Sequence, residues 1–210
     1  MTYNSFAELA AEQTLGVDYR VRVYDRGTAV VVVGPHAGGI ETGTSELVRQ
    51  IAGEDCDDGV LFSEYRFEGL KSSGNSVLHI TSTDFDEPNC LWLLRNSMRA
   101  VTVHGFSGLE AVVHVGGLDV VLRDRVAAAL TTAGFPVAAP PANLDGMEPD
   151  NITNLAQSGA GVQLELSTGL RATFFAANTG AGRWNTRTEA FHNFAAAVRS
   201  ALAVSTVELG

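Results

Sequence analysis

The run Val30-Val31-Val32-Val33-Gly34-Pro35-His36 constrains this chain more than any other stretch. Four β-branched residues in succession fit a strand buried on both faces, as in a parallel sheet covered by helices. The Gly-Pro pair is expected to end the strand, because proline cannot donate a ladder hydrogen bond. His36 and Glu41 then fall on a loop at the strand's carboxyl end. Gly38, Gly39 and Gly43 let that loop turn tightly, and a helix is expected to begin near Thr44 with its hydroxyl as N-cap. An imidazole and a carboxylate five positions apart can share a zinc ion. A solvated polar loop is the competing explanation until the chain supplies a third ligand.

Strand and helix patterns alternate along the sequence. Ser5 to Glu12 reads as a short helix, and Tyr19 to Tyr24 as a half-buried strand ending at Asp25-Arg26-Gly27. After the helix from Thr44 to Gly53, Val60 to Phe67 and Val77 to Thr81 read as strands. Asp86-Glu87-Pro88 opens a helix to about Ser97. Ala100 to Val103 is a short strand before His104-Gly105, Ala111 to Val115 is another, and Asp119 to Ala133 is a long amphipathic helix. Phe135 to Asn154 holds four of the six prolines and reads as a long ordered loop. Gly161 to Ser167 returns as a strand and Thr188 to Ala203 as a closing helix. Such alternation implies an α/β fold with a mostly parallel sheet covered on both faces.

At 210 residues the chain is long enough for one sizeable core and short for two, so a single domain over 1–210 is expected. A formal net charge of −10 without clustered Lys and Arg argues against nucleic acid as partner. No stretch approaches the ~18 consecutive apolar residues of a membrane span. The N-terminal residues lack the basic and apolar regions of a secretory signal, so synthesis in the cytoplasm is expected, with any extracellular action following release by another route. Cys56 and Cys90 form neither a CxxC pair nor a disulfide framework. Nothing indicates an oligomer, and a monomer is the default.

Ligands of open α/β sheets gather at the carboxyl ends of strands. His36 with Glu41, His104 and Glu165 all fall there. His104 is the natural third ligand, with His79 and His114 competing, and two histidines plus one carboxylate would leave a position for water. A solvent-facing strand acid is the ordinary reading of Glu165 in VQLELS. His192, beside Phe191 and Phe194, reads as structural.

The segments PHAGGIETGTSE, YRFEGLK, LHITSTDFDEP, VTVHGF and VQLELSTGLR, in that order, resemble the motifs of the phage-type poly-γ-glutamate hydrolase family, over about residues 16 to 203. The resemblance implies a three-layer α/β/α fold with a mixed, mostly parallel sheet, like that of zinc carboxypeptidases. It also implies a zinc-dependent endo-hydrolase that cleaves γ-glutamyl amide bonds of poly-γ-glutamate. Carried over by motif, His36, Glu41 and His104 match the ligands of one zinc per chain, and Glu165 matches the carboxylate that serves as general base. Two positions depart from the pattern: Ala37 replaces a loop glycine, and Leu155 follows Asn151-Ile152-Thr153-Asn154 where relatives carry arginine.

The α-carboxylate beside a γ-amide calls for a cation. Arg171 is the first candidate, Arg66 the second, and Lys71 offers a point charge. His79 could donate a hydrogen bond to a developing oxyanion. Two other classes of function fit the same chain: a zinc amidohydrolase for small N-acyl or γ-glutamyl substrates or peptidoglycan, and a non-catalytic capsule-binding module.

Overall fold

The computed structural model describes residues 3–180 and 182–207. Seven strands form one sheet: β1 (Tyr19–Tyr24), β2 (Val30–Gly38), β3 (Ser63–Gly69), β4 (Arg99–Phe106), β5 (Val113–Gly116), β6 (Val137–Ala138) and β7 (Val162–Ser167). Their spatial order is β1-β3-β2-β4-β7-β5-β6. The centre, β3-β2-β4-β7, is parallel throughout, and β1 and β5 pair antiparallel with β3 and β7. The sheet is therefore mixed and mostly parallel, as expected.

Successive side chains of a strand point to opposite faces, and here each face has its own core. Val30, Val32, Val101, Val103, Leu164 and Leu166 pack with α2 (Thr44–Ala52), α4 (Val120–Thr132) and α6 (Glu189–Val207). Val31, Val33, Tyr65 and Phe67 pack with α1 (Phe6–Glu12) and α3 (Pro88–Arg95) on the other side. This gives the three-layer α/β/α arrangement of the carboxypeptidase-like folds. A short helix, α5 (Thr168–Thr173), follows β7 directly and was not foreseen from the sequence. No helix among the described residues is long and apolar enough to cross a membrane.

Three local expectations are corrected. Gly34-Pro35 does not end β2. The strand continues to Gly38 through an irregularity between Gly34 and Ala37, where a proline without an N–H is tolerated and a side chain can be re-aimed. The segment expected as a strand from Val77 to Thr81 is instead a 3-10 turn, Asn75–Leu78, entered from Gly74 at φ 73°. Thr44 is not the cap of α2: Gly43 holds that position at φ 96°, and the Thr44 hydroxyl donates to the Glu41 carbonyl at 2.7 Å. That bond fixes the peptide that carries Glu41.

Candidate metal centre

The loop after β2 owes its shape to two glycines. Gly38 has φ +68°, and a Cβ there would stand 2.6 Å from the Gly69 carbonyl oxygen. A Cβ on Gly39 would collide with the Asn75 side-chain amide, whose oxygen and nitrogen are bonded to the Lys71 backbone. The backbone can therefore fold back, and the Glu41 N–H donates to the His36 carbonyl at 2.9 Å. Closure over five residues brings the two side chains together, with His36 Nδ1 3.0 Å from Glu41 Oε1. The other oxygen, Oε2, accepts the Gly105 N–H at 2.8 Å, which ties the loop to the end of β4 beside His104.

His36 Nε2 donates to the Ile80 carbonyl at 2.7 Å, so the neutral ring carries its lone pair on Nδ1. That atom faces Nδ1 of His104 at 3.1 Å. Burial, followed by the neighbouring His36 and His79, holds the His104 imidazole well below the usual histidine range, so it too is a ring with one nitrogen lone pair. Glu41 Oε2 lies 3.9 Å from the same His104 nitrogen. With the His104 proton on Nε2, two nitrogen lone pairs and a carboxylate converge at this spacing and repel one another unless a cation sits among them. The separations suit ligands about 2.0–2.2 Å from a tetrahedral zinc, and the Ile80 carbonyl supplies the outer hydrogen bond typical of a ligating histidine. The buried Nε2 of His104 has no partner among the described residues. The facing Nδ1 atoms and the Glu41 carboxylate beside them fit a zinc ion as a donor set.

His79 is the third imidazole here. It can join His36 and Glu41 in a cluster whose ligand atoms all lie within 4.8 Å. Its ring, however, stacks on that of His36, with centroids 3.9 Å apart and planes inclined by 30°. His104 approaches His36 at 66° with nitrogen facing nitrogen. A stacked ring presents its π-face rather than its lone pair, so the geometry favours His104 as ligand and leaves His79 at the rim. Burial and the neighbouring His36 lower the His79 pKa to about 4.

Glu165 is registered directly opposite His104 across the β4–β7 pair. It is buried rather than solvent-facing, because the segment Asn143–Asn151 covers that face of the sheet and forms one wall of a cleft of about 490 Å³. Burial, and then the charge of Glu41, push its carboxyl up to about 9, against the opposing pull of Arg171 and a hydrogen bond from Gln163 at 3.2 Å. In the metal-free chain Glu165 is thus a neutral acid at pH 7. His36, Glu41, His79, His104 and Glu165 all line the cleft.

The expected cations do not. No lysine or arginine among the described residues lines this cleft. Arg66 lies on β3 facing α2, bonded to Glu64 at 2.6 Å and Glu68 at 2.9 Å, on the opposite face of the sheet from His36. Lys71 is held by Asp18 at 2.8 Å in a separate cavity. Arg171 is buried behind the centre, its guanidinium N–H groups donated to protein oxygens. Leu155 packs against the core around Phe67 and Ile152 rather than entering the cleft. His114 is stacked on Phe106, and His192 is exposed on α6.

What the cleft offers instead, and what residue types alone did not single out, is a set of neutral polar side chains. Thr81, Ser82 and Thr83 line one wall, with Asn143 and Asn151 on the other and Gln163 beside Glu165. Only Gln163 had a usable signal, being two residues before Glu165 on the same face of a strand.

Comparison with known proteins gives the family and the fold. YndL of Bacillus subtilis (strain 168) is 39% identical over 196 residues, 91% of this chain and 74% of that protein. The structure of zinc-free YndL superposes with a TM-score of 0.89 at 38% identity, covering 97% and 98% of the two chains. A bacteriophage poly-gamma-glutamate hydrolase superposes equally well, with TM-score 0.89, 36% identity and 99% of each chain. At 17% identity and TM-score 0.50, a protein assigned as a carboxypeptidase A from Shewanella denitrificans OS-217 shares the fold, over 90% of this chain and 61% of that one. Residues 3–197 match the poly-gamma-glutamate hydrolase family, and the chain belongs to that family.

Proposed function

We propose that this protein is a zinc-dependent endo-hydrolase of γ-glutamyl amide bonds in poly-γ-glutamate, with one zinc held by His36, Glu41 and His104. The observation that carries the reading is the facing pair of Nδ1 atoms 3.1 Å apart with the Glu41 carboxylate beside them. Membership of the family and the zinc-free description of the related YndL structure support the choice of metal and reaction. Zinc so held supplies Lewis acidity, which acidifies a coordinated water to a pKa near ~7 and polarises a carbonyl.

The remaining work belongs to the chain's own groups. Glu165 accepts a proton from the attacking water and delivers it to the leaving amine nitrogen. A divalent charge beside Glu165 favours its ionised form and so opposes the effect of burial. His79, at the rim, donates to the carbonyl oxygen as charge develops there. The hydroxyls of Thr81, Ser82 and Thr83 and the amide of Asn143 take the substrate's free α-carboxylate, in place of the arginine that the reaction led us to expect. Arg171 adds its positive charge from behind, felt at both Glu41 and Glu165.

Incubating the purified protein separately with long polymer and with short γ-glutamyl peptides, each with and without chelator, tests this function. Rapid, chelator-sensitive shortening of the polymer is expected. Cleavage restricted to short peptides would replace it with a small-substrate amidohydrolase, and polymer binding without cleavage would replace it with a capsule-binding module.

A further inference from the structure

Arg171 sits in α5, immediately after β7, and is only 7% exposed. Its Nε donates to the Leu166 carbonyl at 3.2 Å, one Nη to the Thr42 carbonyl at 2.6 Å, and the other to the Phe106 carbonyl at 3.2 Å and the Thr168 hydroxyl at 3.3 Å. Four acceptors for five N–H groups leave almost nothing for a substrate. The three carbonyls are not scattered. Thr42 follows Glu41, Leu166 follows Glu165, and Phe106 lies two residues beyond His104. One rigid planar fork thus grips the metal loop, the end of β4 and the end of β7, each within two residues of a side chain that faces the centre.

The space for this fork is made by Gly105, where a Cβ would stand 2.7 Å from both the guanidinium carbon and Nε. The same glycine donates its N–H to Glu41 Oε2. A side chain there would push Arg171 back and disturb the carboxylate together.

We propose that Arg171 is a positioning residue: it sets the relative placement of Glu41, His104 and Glu165 by fastening the three backbone segments that carry them, and it does not contact substrate. The proposal rests on His36, Glu41 and His104 being the metal site. A lysine retains the charge but lacks the fork, so Arg171→Lys separates the two roles.

Three quantities should be measured on wild type and Arg171→Lys: the zinc dissociation constant by competition with a chromophoric chelator, the melting temperature of the metal-free protein, and kcat and KM on polymer. The expected result is zinc binding weakened by about 10- to 100-fold, the range seen when groups supporting metal ligands are lost, with kcat reduced and KM unchanged. Raised KM with unchanged zinc affinity would overturn the proposal in favour of a substrate-binding arginine. A lowered melting temperature with zinc affinity and kcat both at wild-type values would overturn it in favour of general scaffolding. If Arg171→Lys does not fold, Thr168→Val removes one acceptor at the exposed end of the fork. Weaker zinc with unchanged KM then supports the proposal, and unchanged zinc affinity overturns it. Wild type that holds no zinc would overturn the metal-site reading and this proposal with it, whereas zinc-loaded wild type matched by Arg171→Lys would overturn this proposal alone.

Discussion

Nδ1 of His36 and Nδ1 of His104 face each other at 3.1 Å across the carboxyl ends of adjacent parallel strands, although 68 positions separate them in sequence. With His36 Nε2 given to the Ile80 carbonyl, the lone pair on His36 Nδ1 is aimed at the His104 ring and the Glu41 carboxylate together. Replacing His104 by Ala should lower the zinc content from roughly one per chain to near none, while the far-ultraviolet circular dichroism stays that of the folded protein. Zinc retained at the wild-type level would remove His104 from the ligand set.

Glu165 borders the cleft but is not among the proposed ligands. Glu165→Gln should therefore keep zinc while kcat falls by about 100- to 10,000-fold, the usual contribution of a general acid–base group. Elemental analysis and steady-state kinetics on one preparation check both halves. Turnover close to wild type would show that another group moves the proton.

The same residue makes the metal-free protein sensitive to pH. Its pKa is near ~4.3 when unfolded and is raised to about 9 when folded. The folded state then keeps a proton that the unfolded chain releases, so the stability tied to this group is full below the unfolded pKa and is lost as pH rises toward the folded one. Melted without metal, Glu165→Gln should gain on wild type steadily between about pH 5 and about pH 9. A difference in melting temperature that does not change with pH would contradict this.

A cleft without lysine or arginine, in a chain of net charge −10, repels a polyanion at long range and attracts it only at the metal and through neutral donors. Added salt screens the repulsion, so kcat/KM on polymer should rise with moderate ionic strength. Ser82→Ala and Asn143→Ala should raise KM and leave zinc content alone. A kcat/KM that falls steeply with salt would reveal a cationic contact elsewhere along the polymer path.

Much of this architecture was legible because it depends on periodicity. Val30 to Val33 specify a strand covered on both faces, and the rule that ligands gather at strand ends brings His36, Glu41, His104 and Glu165 to one end of the sheet. Other features depend on what a side chain meets, which residue type does not reveal. The charge of Arg171 suggested a free fork, but its N–H groups are consumed by Thr42, Phe106 and Leu166. Alternation gave the face of Glu165 but not its burial, because the covering segment Asn143–Asn151 has no periodic pattern to read. Leu78 and Ile80 alternate as in a strand, yet Leu78 closes a 3-10 turn, Asn75–Leu78, and reaches the same core as Ile80 from there.

The most direct test of the central claim is a zinc-edge anomalous difference map from crystals of the protein grown with zinc. The account predicts one strong peak within about 2.0–2.2 Å of His36 Nδ1, His104 Nδ1 and a Glu41 oxygen, with His79 stacked at the rim and not bound. A peak coordinated by His79 in place of His104, or one outside this cleft, would contradict it.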